Sequence, residues 1–146
     1  MNGADSPSGR VASLHLHPLK GGEPFTRAET ISLVAGKGIE GNPRYFDRGS
    51  RRQVTLIARE QIAAHANALG VERFEPGAVR SNIETEGVDL NALVDRDVRV
   101  GGAVLHIYTP RTPCHKMDAL HNGLRALMEN GRQGVLAQVV QSGVIR

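Results

Sequence analysis

The chain has 146 residues, the usual size of one domain and enough to bury roughly two-thirds of the surface its unfolded form exposes. Hydrophobic residues make up 40% and charged residues 23%, no apolar run approaches the roughly 20 residues needed to cross a bilayer, and residues 1–9 lack the basic stretch and apolar core of an export signal. With a net charge of only +3, 3% aromatic residues, no Trp, and no helix-turn-helix or zinc-finger pattern, the chain has few platforms for stacking bases, which argues against nucleic acid as a partner.

These features predict a flexible tail over residues 1–9 and a single soluble domain over 10–146. Residues 11–19 alternate Leu14 and Leu16 with His15 and His17, the period of a half-buried strand, which Pro18 and Gly21-Gly22 end. Residues 30–34 predict a second strand, stopped by the glycines at 36, 38 and 41. Residues 53–57 predict a third, running into a helix over 58–69 with Ile62, Ala66 and Leu69 at helical spacing and Gly70 as the stop. Residues 78–85 read as a strand, 89–93 as a turn, and 97–100 with 104–108 as strands joined by Gly101-Gly102. Met117, Leu120, Leu124, Leu127 and Met128 form a helical stripe ended by Asn130-Gly131, and residues 135–140 predict a last strand. Short strands joined by glycine turns, without regular crossover helices, predict a mainly β, mainly antiparallel barrel or sandwich flanked by a few helices.

The single cysteine, Cys114, cannot form an internal disulfide, which suits a reducing, cytoplasmic compartment. Thr112 can cap a helix and Pro113 suits its first position, which would put Cys114 in the first turn, where the helix dipole, Arg111, His115 and Lys116 favour the thiolate. A thiolate binds a soft metal or carries a persulfide; the bland alternative is a small buried hydrophobe. Arg44, Arg48, Arg51 and Arg52 fall close together and predict an anionic ligand. The glycine-rich residues 36–44 could bring backbone amides to a phosphate or pterin, but match neither the dinucleotide fingerprint nor the P-loop, so a surface turn is the plainer reading. The polar triplet Arg80-Ser81-Asn82, inside a predicted strand, could hydrogen-bond a ligand or face water. The six histidines are scattered without zinc-ligand spacing and read as structural or surface residues. No Gly-x-Ser-x-Gly elbow is present, and Cys114 and His115, adjacent on a helix, would point apart.

Taken in order, Gly36-Lys37-Gly38-Ile39-Glu40-Gly41-Asn42, Arg52-Gln53-Val54-Thr55-Leu56-Ile57 with Glu60, Pro76-Gly77, Arg80-Ser81-Asn82-Ile83, Gly87-Val88-Asp89-Leu90, Val100-Gly101, Pro113-Cys114, Gly134-Val135 and Gly143 resemble the MOSC domain, named for the C-terminal region of molybdenum cofactor sulfurases. The resemblance spans roughly residues 11–146 and implies an antiparallel β-barrel that binds molybdenum cofactor (molybdopterin), a pterin dithiolene with a phosphate. In family members that reduce N-hydroxylated compounds the metal takes a cysteine sulfur. The resemblance thus implies Cys114 as metal ligand or persulfide carrier, and Arg52, Arg80, Asn82 and Arg111 as holders of pterin and phosphate. The chain departs from the family pattern at Asn42, where many relatives have Asp, and at Arg146, where relatives often continue into another Gly-Asp. It carries neither the desulfurase region of full sulfurases nor the extra barrel of larger reductases, which implies a stand-alone domain. Three functions follow as expectations: an oxidoreductase acting on a small N-hydroxylated molecule with an electron-donor protein, a sulfur or cofactor carrier served by a cysteine desulfurase, and a non-catalytic binding barrel.

Overall fold

A computed structural model describes residues 8–20, 23–114 and 116–146; the expected tail before residue 8, the Gly21-Gly22 stop and His115 lie outside the described residues. Ten strands follow in chain order: β1 (Arg10–Leu16), β2 (Thr26–Ala28), β3 (Ile31–Val34), β4 (Gly38–Ile39), β5 (Val54–Ala58), β6 (Ile83–Glu86), β7 (Arg96–Val100), β8 (Ala103–Pro110), β9 (Val135–Gln141) and β10 (Gly143–Ile145). Helix α1 (Arg59–Leu69) joins β5 to β6, a 3-10 turn spans Leu90–Leu93, and α2 (Lys116–Leu120) and α3 (Leu124–Leu127) separate β8 from β9.

Seven strands form one sheet in the order β2-β1-β6-β5-β9-β8-β7, and three form a second, β10-β3-β4. The larger sheet curls into a half-barrel, so the fold is mainly β, as the strand-rich pattern predicts. Register shifts between Val11 and Ser13 on β1, and at two places along β8 and β9, bend the strands. The main core fills the concave side, where Leu14, Leu56, Ile83, Leu105 and Ile107 meet Ile31, Leu33, Ile39 and Ile145 of the smaller sheet. Each such side chain, fully buried, contributes about 1.5–3 kcal/mol by transfer from water. A second cluster of Ile57, Ile62, Val79, Met117, Leu124 and Met128 packs the helices on the other face.

Three expectations need correction. β5 and β6 are parallel, and α1 is a crossover helix between them, because Ile62 and Ala66 bury one helical stripe against the sheet. The strand expected over 78–85 begins only at Ile83, since Gly77 and Arg80 take left-handed φ values of 86° and 64° and turn the chain before it. The stripe from Met117 to Met128 is two short helices, broken at Gly123 with φ 91°, which leaves Leu120 exposed.

Candidate functional site

Strands β1, β5 and β6 begin or end at the same edge of the half-barrel, because β1 runs antiparallel to β6 while β5 runs parallel to it. The chain leaving β1 at His17, entering β5 at Arg52–Thr55 and entering β6 at Arg80–Asn82 meets there the segment leaving β8 at Arg111–Cys114 and the turn Asn42–Tyr45. Together with Phe25 and Lys116 they line a cavity of about 70 Å³. Arg52, Arg80, Asn82, Arg111 and Cys114, singled out by the family resemblance, are all in its wall.

Arg44, Arg52, Arg80, Arg111 and Lys116 contribute five cations, and among the described residues no Asp or Glu lines the cavity. Arg111 is 8% exposed; its backbone N–H donates to the Gly134 carbonyl (2.9 Å) and its Nη1 to the Arg80 carbonyl (2.8 Å). Burial, with the nearby Arg52 charge, pushes its guanidinium down to about 10. Burial also lowers Arg80, whose Nη1 donates to the Glu23 carbonyl at 2.6 Å and whose guanidinium lies 5.1 Å from the Phe25 ring centre. Arg52 stacks 5.1 Å from the Tyr45 ring, and its Nε is buried without a partner among the described residues. Like charges gathered in a partly desolvated wall raise one another's cost, and the chemistry that offsets it is an anion.

Asn82 serves a different purpose. Its Oδ1 accepts from the Thr55 backbone N–H (3.1 Å) and Oγ1 (3.0 Å), and its Nδ2 donates to the His15 carbonyl (3.1 Å), so it ties β5, β6 and β1 together at the cavity edge. The polar triplet thus neither sits within a strand nor faces water: Arg80, Ser81 and Asn82 are all buried. Asn42, 1% exposed, likewise accepts from the His17 backbone N–H at 2.8 Å.

Cys114 is free and exposed. It lies ahead of α2, which begins at Lys116, and its carbonyl accepts from the Met117 N–H at 3.1 Å. Cys114 therefore stands at the entry to α2, just ahead of its first turn, and lines the cavity there. The glycine-rich segment follows its plainer reading, since residues 35–37 form an exposed turn between β3 and β4. Gly38 belongs to β4 and packs where a Cβ would stand 3.3 Å from that of Gln53, so these glycines shape a hairpin behind the cavity wall, and only Asn42, Arg44 and Tyr45 reach the cavity. Of the neighbouring arginines, Arg51 instead stacks 4.1 Å from the Tyr108 ring centre and Arg48 donates to the Pro43 carbonyl.

His17, read from sequence as structural or surface, lines the cavity between Phe25 and Tyr45, with ring centres 4.9 and 5.7 Å away. Burial lowers its pKa, which keeps it neutral at pH 7. No sequence signal marks it, since its role follows from where β1 ends. Phe25 likewise matches no motif, whereas Gln53 and Thr55 fall within the family-like stretch at residues 52–57 without standing out in it.

The MOSC domain profile matches residues 39–146. The chain belongs to the MOSC domain family. No curated protein matches it in sequence. Among solved structures the fold is similar to that of the YuaD protein from Bacillus subtilis, at 19% identity and TM-score 0.75 over 94% of this chain and 90% of that one. It is also similar to YiiM from Escherichia coli (23% identity, TM-score 0.69, 95% and 66% covered) and to YiiM from Geobacillus stearothermophilus (18%, 0.74, 95% and 71%). The MOSC chain therefore spans just under two-thirds of the Escherichia coli protein's length. Among the described residues no helix is long and apolar enough to cross a membrane.

Proposed function

We propose that the cavity binds molybdenum cofactor and that the protein is an oxidoreductase reducing small N-hydroxylated compounds, with electrons from a separate protein. The observation that supports this reading is the meeting of five cations and the chain's only thiol on a cavity that no carboxylate lines among the described residues. The residues fit the group: an exposed sulfur suits a soft metal, and the unpartnered Nε of Arg52 and the charges of Arg80 and Arg111 suit its phosphate or oxo groups. The small enclosed volume admits a compact oxyanion, so a whole pterin would extend beyond it.

When bound, the cofactor would supply two-electron redox chemistry at a metal held by Cys114. The chain's own residues bind and orient: Arg52, Arg80 and Arg111 fix the anionic end, while Asn82, spent on strand contacts, holds the edges of β1 and β5 in place. Reduction of an N–OH group takes up two electrons and two protons, cleaves the N–O bond and releases water. In the alternative reading Cys114 carries a persulfide for a cysteine desulfurase, and the exposure of its thiol favours that.

Metal and pterin analysis of protein expressed with molybdate tests the proposal. Molybdenum near one per chain, with Cys114→Ala losing most of it, is the expected result, followed by hydroxylamine or amidoxime reduction once an electron donor is added. Wild type without metal or pterin, but with a persulfide after desulfurase treatment, would shift the reading to sulfur carriage.

A further inference from the structure

The wall of the cation-lined cavity also carries an imidazole. His17 is buried, its backbone N–H is fixed on Asn42 Oδ1, and its ring is held between Phe25 and Tyr45. Its Nδ1 lies 3.0 Å from the Pro18 carbonyl, which can only accept, so Nδ1 carries the hydrogen and Nε2 the lone pair. Nε2 has no hydrogen-bond partner among the described residues, and unlike Nε2 of His15 it is not sealed off, since His17 forms part of the cavity wall.

The polar groups around it are donors or already engaged. Arg44, Arg52, Arg80, Arg111 and Lys116 can only donate. The Oδ1 atoms of Asn42 and Asn82 accept from the backbone N–H groups of His17 and Thr55, and Gln53 Oε1 accepts from that of Val139 at 2.8 Å. Among the described residues, His17 Nε2 is therefore the free basic nitrogen of the cavity. The titratable groups that share the wall with it are Arg44 and Tyr45 on the turn after β4, Arg52 ahead of β5, Arg80 ahead of β6, Arg111 and Cys114 after β8, and Lys116 on α2. Burial first, and then the charges of Arg80, Arg44 and Lys116, hold its pKa down against the Pro18 carbonyl. An anion seated among these cations reverses the balance, because it offsets their charge and pairs with an imidazolium.

We propose that the cavity takes up its anion together with a proton held on His17 Nε2, and that this proton is one of the two consumed in the reaction. The uptake stands on the cavity itself, whereas the use of the proton rests on the reductase reading above. In that reaction the donor protein supplies two electrons. The His17 proton goes to the hydroxyl oxygen as the N–O bond breaks and water leaves, and a second proton, from solvent, goes to the amine nitrogen.

Sulfate, which stays fully deprotonated between pH 5.5 and 8, is the probe, and Cys114→Ala protein expressed without molybdate takes the thiol out of the titration. Calorimetry is expected to show one sulfate site that tightens by up to about tenfold per pH unit as pH falls, with up to about one proton taken up per sulfate. With His17→Gln added, sulfate affinity is expected to change less than about twofold over the same range. If that variant does not fold, NMR titration of the His17 ring nitrogens in Cys114→Ala protein decides instead: Nε2 is expected to be the bare nitrogen, with its pKa raised by about one unit in saturating sulfate. No sulfate binding up to about 100 mM, the same pH dependence after His17→Gln, or a His17 titration that sulfate leaves unmoved would each overturn the proposal. These measurements need no metal, so their failure and a failure of the molybdenum analysis are separate results. Where molybdenum does load, His17→Gln is expected to keep the metal and lose about a hundredfold in turnover, and unchanged turnover would overturn the use of the proton.

Discussion

Arg111 shows what the cation-lined cavity costs and what it gains. Its guanidinium is pushed well below the ordinary arginine range, down to about 10, first by burial and then by the Arg52 charge. At 1.36 kcal/mol per pKa unit, the charged form is disfavoured in the folded chain by about 3 kcal/mol. The folded value lies below the unfolded one, so this penalty is fully present below about pH 10. It lifts only as pH rises from there toward the ordinary arginine range, where the unfolded chain still holds a proton that the folded chain has released. At neutral pH the charge is retained at a cost, and a bound anion offsets it. Arg111→Met removes the penalty but leaves the Arg80 carbonyl without its 2.8 Å donor, worth about 1–3 kcal/mol, so the two effects nearly cancel. Urea unfolding is expected to show stability within about 1 kcal/mol of wild type, while phosphate titration shows affinity reduced at least about tenfold. Unchanged phosphate affinity would remove Arg111 from the anion site.

The elements place these residues through a few close approaches. Gly134, at φ 79°, packs so tightly on β5 that a Cβ would fall on the Leu56 carbonyl oxygen and stand 2.8 Å from the Ile57 Cα. Its own carbonyl anchors Arg111. Gly134→Ala is therefore expected to cost about 3 kcal/mol in thermal or urea unfolding, and to weaken anion binding with it. Asn82→Ala strips three side-chain bonds and leaves the buried Thr55 N–H without its acceptor, an expected loss of about 3 kcal/mol. Asn82→Asp keeps both acceptor contacts and should lose less in the same measurement. Such contacts explain what was legible in the sequence. Alternation or apolar runs marked β1, β5, β8 and β9 because burial imposes a period on strands. The left-handed Arg80 and the helix break at Gly123 left no such mark, since they answer to contacts distant in sequence. Cys114 stands out from the residues themselves, as the lone thiol among cations, but only the family resemblance joins Arg52, Arg80 and Arg111 to it, because no spacing relates residues 52, 80 and 111. His17 matched no motif and was passed over.

At the scale of the whole molecule, the large sheet is covered on both faces where β1, β5 and β6 run, and this defeats the half-buried reading of β1. Leu14 faces the main core, but His15 on the opposite side is 0% exposed, because the turn before β6 lies across it: His15 Nδ1 is 2.9 Å from the Ser81 carbonyl, and its ring packs on Gly77. With Nδ1 donating to that carbonyl, Nε2 is left buried without a partner, and protonation there would place a charge beneath the turn. Burial lowers the His15 pKa from 6.5, against the opposing pull of the Ser81 carbonyl and of Glu84. The folded value is below the unfolded one. Stability is therefore intact above 6.5 and is lost as pH falls below it, because the unfolded chain takes up a proton that the folded chain refuses. Each such histidine contributes a slope of up to about 1.4 kcal/mol per pH unit. His15→Gln can still donate to the Ser81 carbonyl but cannot titrate. Urea midpoints measured between about pH 7.5 and 5.5, where most carboxylates remain ionised, are expected to fall for wild type and to fall less steeply for His15→Gln. Parallel slopes for the two proteins would mean that the cover over β1 opens to admit the proton, and that His15 does not hold the two layers to a neutral interface.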